Sequence, residues 1–439
     1  MRIYRWLYPG LGIKRWLLLF TLGVMLFSIG LAIALNARVL GGLEDSLRRL
    51  VYLATGRFWP AAAGGTVMAG LGLLAGIVAV HRVVRTALGV LLPRGSNGLA
   101  EIIYQRRLQE RGPRVVAIGG GTGLATLLRG LKEHTSNITA IVTVTDDGGS
   151  SGRLRGQLGV LPPGDIRNCL VALADTEPLM EKLFQHRFDQ GEGLAGHSFG
   201  NLFIAAMFQV TGDFEAAVRA SSQVLAVRGT VLPSTLSQVV LCAELADGTR
   251  VFGETSISTA GQPIRRIFLE PHGARPLEAA LQAIYEADAI ILGPGSLYTS
   301  ILPNLLVDGV ADAIRNSPAL KIYVCNVMTQ PGETDGYSAA DHVRAITNHV
   351  DGLLDLVVVN TGEITAPLLE KYRVQNAYPV ATDLEAIRRM GLEVVGADLV
   401  SRTNLVRHDP RALARLLLDL IARRRPGPRG LLELYLGVR

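Results

Sequence analysis

Two long stretches without a charged residue, Trp16–Ala37 and Phe58–Val80, stand out first along the chain. Each is about 22 residues, and at about 1.5 Å rise per residue a helix of that length crosses the ~30 Å hydrocarbon core of a bilayer. From Arg114 the pattern changes. Short apolar runs at Val115–Ile118, within "NITAIVTVTDD", and at Ser237–Cys242, Ala289–Leu292, Ile322–Cys325 and Leu356–Val359 alternate with segments of helical period. Runs this short, apolar at every position, fit parallel strands buried on both faces. Their alternation with helices predicts a doubly wound, Rossmann-like, mostly parallel α/β sheet. The second run is read as a strand ending at its acids. Gly156–Ala226 reads as a mostly helical insertion over the strand ends. The expected division is a transmembrane helical hairpin over 1–90, a basic linker over 91–113 and an α/β domain over 114–439. "RRRPGPRG" (Arg423–Gly430) reads as a solvated tail, and no tandem repeat or low-complexity tract is visible.

Charge sharpens this division. The chain's net charge of +6 is uneven, at +10 over residues 1–113 and −4 over 114–439. The basic excess therefore flanks the apolar runs, which argues for a membrane and against nucleic acid as the partner. Arg2, Arg5, Lys14 and Arg15 precede the first run, and Arg82, Arg85 and Arg94 follow the second. Both termini are expected in the cytoplasm, with the α/β domain at the inner face of the plasma membrane. A signal peptide cleaved near Ala34–Ala37 is the rival reading of the first run, but that run is long and a second follows at once. The second run holds Pro60 and Gly64, Gly65, Gly70, Gly72 and Gly76, a density that lets membrane helices approach closely. Cys169, Cys242 and Cys325 are far apart and odd in number, so no disulfide framework or metal spacing is expected.

Candidate chemistry gathers in polar loops after the apolar runs. Gly119, Gly120, Gly121, Thr122 and Gly123 follow the first strand, with Thr122 expected to cap a helix. A glycine turn opening a helix presents backbone N–H groups to a phosphate, or is simply a tight turn. It is neither the dinucleotide fingerprint nor a P-loop. After the second strand come Asp146 and Asp147, then Gly148, Gly149, Ser150 and Ser151, then Arg153 and Arg155. An acid there can hold a sugar hydroxyl, or Mg²⁺ together with a nucleotide's phosphates. The small residues can form an anion nest that the arginines clamp. Asp165 and Asn168 in "PPGDIRNCL", His197 and Asn201 in "HSFGN", and Gly293, Gly295 and Ser296 in "GPGSLYTSILPN" complete the candidate cleft. "NVMTQPGETDGYS" follows a further strand in the same manner. No nucleophile elbow or H-E-x-x-H motif is present.

Taken together, "VVAIGGGTGL", "VTVTDDGGSSGRLR", "PPGDIRNCLVAL", "HSFGNL", "RGTVLPST", "LGPGSLYTSILPNLLV", "CNVMTQPGETDGYS" and "LVRHDP" resemble the bacterial gluconeogenesis-factor (YvcK-type) family of the CofD-like superfamily. The resemblance runs from about Arg114 to the last helix. It implies a protein that binds UDP-N-acetylglucosamine and acts in cell-wall synthesis, cell shape and gluconeogenic growth. It carries the glycine loop, the acid pair and the "GPGS" loop onto the present positions. It also implies uridine contacts from Tyr372, in "EKYRVQNA", and Arg407, in "VRHDP". The N-terminal hairpin departs from the usual pattern and implies tethering beside wall-precursor proteins. The alternative is the superfamily's enzyme branch, 2-phospho-L-lactate transferase, which moves a phospholactyl-type group from a nucleoside diphosphate donor to a deazaflavin alcohol with Mg²⁺. A nicotinamide oxidoreductase is the third reading and rests on geometry alone. A homo-oligomer is expected.

Overall fold

A computed structural model describes residues 14–34, 49, 52–53, 61–91, 106–175, 178–401 and 405–424. The expectations for the loop between the apolar runs, the cleavage site beyond Ala34, the first part of the linker and the tail after Arg424 lie outside the described residues. The chain forms two compact units, Met1–Ile102 and Ile103–Arg439.

The first unit is built on α1 (Lys14–Ala34) and α2 (Ala61–Leu91). Within them Arg15–Ala34 and Ala63–Val84 are long and apolar enough to cross a membrane, with mean hydropathy of 2.5 and 2.0. The two helices touch backbone to backbone. A Cβ added to Gly30 would lie 2.3 Å from the Ala69 nitrogen, and one added to Gly65 would lie 2.4 Å from the Ala34 nitrogen. Dispersion and close backbone approach, which need no hydrophobic effect, can hold such a pair in lipid. Thr21 and Ser28 donate their hydroxyls to Leu17 and Val24 carbonyls, so neither is left unpaired along the apolar surface. The Arg15 and Arg82 guanidinium groups both lie over the Trp16 ring, 5.1 and 5.2 Å from its centre. The start of α1 and the end of α2 therefore share one basic, aromatic end, the composition of a membrane interface.

The second unit runs β1 (Val115–Gly119), α3 (Gly121–Leu131), β2 (Ile138–Val142), α4 (Gly149–Leu158), α5 (Gly164–Leu173), α6 (Phe199–Thr211) and β3 (Thr230–Pro233). Then come β4 (Val240–Leu245), β5 (Arg250–Phe252), α7 (Glu254–Thr259), β6 (Ile264–Glu270), β7 (Ala289–Leu292), β8 (Leu320–Val324), β9 (Leu356–Asn360), β10 (Glu393–Ala397) and α8 (Pro410–Arg424). Seven strands form one sheet in the order β10-β9-β8-β7-β1-β2-β3, every neighbouring pair parallel. In the central register Val115 stands opposite Ile138 on one side and Ala289 on the other. Val115–Ile118 and Ala289–Leu292 are buried throughout, as the unbroken apolar runs predict. The doubly wound α/β expectation holds. Helices fill the β2–β3 crossover, where the sequence reads as a helical insertion. The three cysteines are buried and free.

Four details differ from the sequence reading. The second strand stops at Val142, so Asp146 and Asp147 lie on the loop beyond it. The Ser237–Cys242 run supplies β4 of a separate antiparallel sheet, β5-β4-β6, rather than a strand of the main sheet. Thr122 is not a cap: α3 starts at Gly121 behind Gly120, without a side-chain cap. Residues 106–113, read as linker, are tied to the α/β unit. Asn137 donates to the Glu110 and Gly112 carbonyls, and Gln109 to the Glu133 carbonyl.

Helices α3 and α8 approach backbone to backbone. A Cβ on Gly130 would lie 1.9 Å from the Pro410 carbonyl oxygen, so a methyl group must push two backbones apart. Gly130→Ala is expected to destabilise the protein by about 1–3 kcal/mol, seen as a lower urea midpoint. An unchanged midpoint would contradict this contact.

Candidate functional site

The strand order reverses beside β1. Its successor β2 lies on one side and β7 on the other, so the chains leaving β1 and β7 part and open a crevice at their carboxyl ends. The glycine loop leaves β1 there and the "GPGS" loop leaves β7. They meet closely: a Cβ on Gly123 would sit 2.5 Å from the Pro294 carbonyl oxygen. Only a residue without a side chain fits, and the first turn of α3 is thereby laid against the second loop. Asn326, just after β8, fixes that loop, accepting from Gly295 N–H at 3.1 Å and donating to the Gly295 carbonyl at 2.8 Å.

Between the loops lies a cavity of about 300 Å³, lined by Gly120–Gly123, Thr126, Pro294–Ser296, Asn326–Met328, Gln330 and Val406–His408. Thr122 and Gly123, in the first turn of α3, line it at the positive end of the helix dipole, an arrangement that suits an anion. Arg407 is exposed at its edge. A larger hollow of about 760 Å³ opens at the amino ends of β1, β2 and β3. The charges around that hollow already pair with one another, Arg114 with Glu286 and Arg219 with Glu215. The carboxyl-end cleft is therefore the better ligand candidate.

A second polar cluster adjoins the cleft beneath Gly120. There a Cβ would fall 2.3 Å from Asp165 Oδ2, and Asp165 accepts the Gly121 N–H. Burial pushes the Asp165 carboxyl up to about 7, with Asp146 adding to the rise. Burial also pushes Glu254 up to about 9, reinforced by Asp146, Asp165, Glu333 and Asp147. Burial raises Glu333 to about 7 although its Oε1 accepts from Thr299, Gln330 and Ser258. Like charges crowded out of water favour the protonated forms. Gln330 links the two regions, since it lines the cleft and donates to Glu333.

The remaining candidates divide clearly. Ser150 shares a 2.9 Å hydrogen bond with His197 Nδ1, and burial, with Arg153 and Arg187 nearby, keeps that imidazole below its usual range. Asn201 accepts from Arg167 and donates to Ser151, while Asn168 accepts from Arg167. These groups lie where the amino ends of α4, α5 and α6 meet. Asp146 accepts the Gly148 N–H at 2.9 Å. Asp147 is held by Thr255, through its N–H and its hydroxyl, at 3.0 and 2.8 Å. Gly148–Ser151 form the start of α4 rather than a free nest. The arginines do not form a clamp: Arg153 donates to the Ala195 carbonyl and Arg155 to that of Val239. Tyr372 is not in the cleft wall. Its hydroxyl accepts the Val406 N–H at 3.1 Å, so it props the segment that carries Arg407. Glu254, Glu333 and His408 carry no role in the sequence reading. Only "GETS" and "GETD", acids after a glycine beyond a strand, hinted at the first two.

Comparison with other proteins agrees with this geometry. Residues 115–400 match the family described as 2-phospho-L-lactate transferase CofD. A Bacillus subtilis protein described as a gluconeogenesis factor is 54% identical over 70% of this chain and 98% of its own. A relative from Nostoc is 52% identical over 94% of this chain and 92% of its own, so that match reaches into the first unit. A crystal structure of a Bacillus halodurans protein is similar with a TM-score of 0.68 at 50% identity, over 70% of this chain and 99% of that one.

The raised carboxyls fix a direction for pH. A folded state that prefers protonated acids has its extra stability at low pH and loses it as pH climbs from about 4 through the raised values. The ligand-free protein should therefore lose stability between about pH 5 and pH 9. Asp165→Asn should raise Tm by several degrees at pH 8 and by clearly less at pH 5. Equal effects at the two pH values would remove burial of this acid as the cause.

Proposed function

Because the chain belongs to the gluconeogenesis-factor family of CofD-type proteins, we propose that it binds a nucleotide sugar, UDP-N-acetylglucosamine. In this reading it regulates cell-wall synthesis, cell shape and gluconeogenic growth from the inner face of the plasma membrane. The observation that carries the reading is the crevice between the β1 and β7 loops. Its glycine walls let a diphosphate reach the start of α3. Arg407 supplies charge or a hydrogen bond at the nucleoside end, with Tyr372 holding its segment in place. Asp146, next to Gly164 and the start of α5, is placed for a sugar hydroxyl. The polar cluster of Ser150, Ser151, Asn168, His197 and Asn201 would bound the sugar side. The proposed partners are wall-precursor enzymes and a second copy of the chain.

The crowd of acids favours one alternative, transfer of a phospholactyl-type group. A carboxyl poised near neutrality, such as Asp165 or Glu333, suits proton transfer to or from an acceptor hydroxyl. Mg²⁺ would supply charge stabilisation at the phosphates. Among the described residues no three acid, imidazole or thiol groups are set to hold a metal. Asp146 and Asp147 each accept through one carboxylate oxygen, from Gly148 and Thr255, so their other oxygens would hold such an ion together with the nucleotide.

Isothermal titration with UDP-N-acetylglucosamine should show saturable binding, weakened at least tenfold by Arg407→Ala and lost in Gly123→Val. Absence of heat at millimolar ligand would remove the reading. Incubation with a deazaflavin alcohol and an activated phospholactate, followed by mass spectrometry, decides the alternative. For the tether, the full chain should stay with membranes through an alkaline wash, and release into the supernatant would refute it.

A further inference from the structure

Three arginines close on one short loop, residues 195–198. Arg153, from α4, donates to the Ala195 carbonyl at 2.9 Å, and a Cβ on Gly196 would fall 2.8 Å from its Nη2. Arg187 donates to the Gly196 carbonyl at 2.5 Å. Arg167, from α5, donates to the Ser198 hydroxyl at 2.5 Å and to Asn201 at 3.0 Å. These acceptors are all neutral, and among the described residues none of the three guanidinium groups pairs with a carboxylate. A guanidinium has five N–H donors, so Arg153 and Arg187, both exposed, keep several for a further partner. Arg153 thus works beside Arg187, not beside its sequence neighbour Arg155.

The backbone adds to this positive charge. The Ser151 hydroxyl accepts from the Gly164 N–H at 3.1 Å and from the Asn201 amide at 3.4 Å, so the amino ends of α4, α5 and α6 meet at one point. Three positive dipole ends therefore lie beside the arginine-held loop, whose Ser198 caps α6. Asp165 and Asp146 draw on Arg167, but repulsion from Arg187 acts on it more strongly than either pull. His197 is the loop residue between the arginine-held carbonyls and Ser198, and it is only 3% exposed. Its Nδ1 shares a hydrogen bond with Ser150, while its Nε2 bonds nothing among the described residues. That nitrogen is not sealed in as those of His342 and His408 are. Burial, Arg153 and Arg187 keep the ring neutral. With Ser150 donating to Nδ1, Nε2 carries the hydrogen and can donate it.

Helix amino ends and guanidinium groups without an acid call for an anion. A sugar ring brings no charge here, and the glycine loops already match a nucleotide's phosphates, so the anion belongs to a second ligand. A phosphomonoester offers three terminal oxygens, enough for two arginine forks and an imidazole N–H together. We propose that Arg153, Arg187 and His197 Nε2 bind the phosphate of a phosphomonoester at the 195–198 loop, a second ligand site apart from the glycine crevice. Arg167 is a positioning residue that holds Ser198 and Asn201 behind it. This site stands whether or not the crevice takes a nucleotide sugar.

The test is calorimetric titration of the full chain with inorganic phosphate at constant ionic strength. Two chains are compared, wild type and Gly123→Val, whose crevice is closed. Both should show saturable binding. Arg153→Gln combined with Arg187→Gln should weaken it at least about tenfold in the Gly123→Val chain and remove one site from wild type. His197→Phe should weaken it by about threefold or more. Glutamine can still donate to the Ala195 and Gly196 carbonyls, so arginines that only fasten the loop would leave phosphate affinity unchanged in the double variant. That result, or a wild-type protein with no saturable phosphate binding, overturns the proposal. A protein that binds phosphate here but no UDP-N-acetylglucosamine loses the nucleotide-sugar reading and keeps this one.

Discussion

A parallel sheet can open a crevice at its carboxyl edge only where neighbouring strands send their chains in opposite directions, and here that place is between β1 and β7. The rest of the site depends on this reversal. It puts two glycine loops side by side, and their backbones approach so closely that a Cβ on Gly123 would strike the Pro294 carbonyl. It aims the start of α3 into the gap. It also brings Asn326 after β8, and the Val406–His408 segment before α8, to the same rim. None of these groups is near the others in sequence. The parallel order of the strands makes them neighbours.

The second constraint is the gathering of acids beside the crevice. Asp165, Glu254 and Glu333 come from three different segments and are pushed toward protonation by burial, with neighbouring acids adding to the rise at Asp165 and Glu254. An arrangement that costs stability and serves no core packing is the kind found at functional sites. Asp165 also accepts the Gly121 N–H at the entrance to α3. The cluster and the phosphate-type crevice therefore meet at this carboxylate, as they do at Glu333 through Gln330. Whatever binds in the crevice changes the surroundings of that acid.

Much of the fold was legible because its signals are local. Val115–Ile118 and Ala289–Leu292 read as buried strands from their apolar runs alone, and the glycines after them marked the turns. Errors arose where local patterns compete. Val142-Thr143-Val144-Thr145 alternates like a strand, which carried the expected strand as far as the acids. Gly149–Leu158 has poor helix propensity, with three glycines and two serines, so its helical start read as a nest. β3 ends in Pro233 and is only four residues long, which an edge strand tolerates and a pattern search passes over. The arginines after the acids looked like a clamp because sequence shows charge but not direction; each reaches a carbonyl dozens of residues away. Glu254, Glu333 and His408 join the site through tertiary contact alone.

The bond between Asp147 and Thr255 has a mechanical meaning. It pins the loop after β2 to α7, and α7 follows directly from the edge strand β5 of the small antiparallel sheet. Loop and small sheet are therefore hinged together, like a door and its handle. These two bonds join the acid-bearing loop to the small sheet across more than a hundred residues of chain, so the position of one constrains the other.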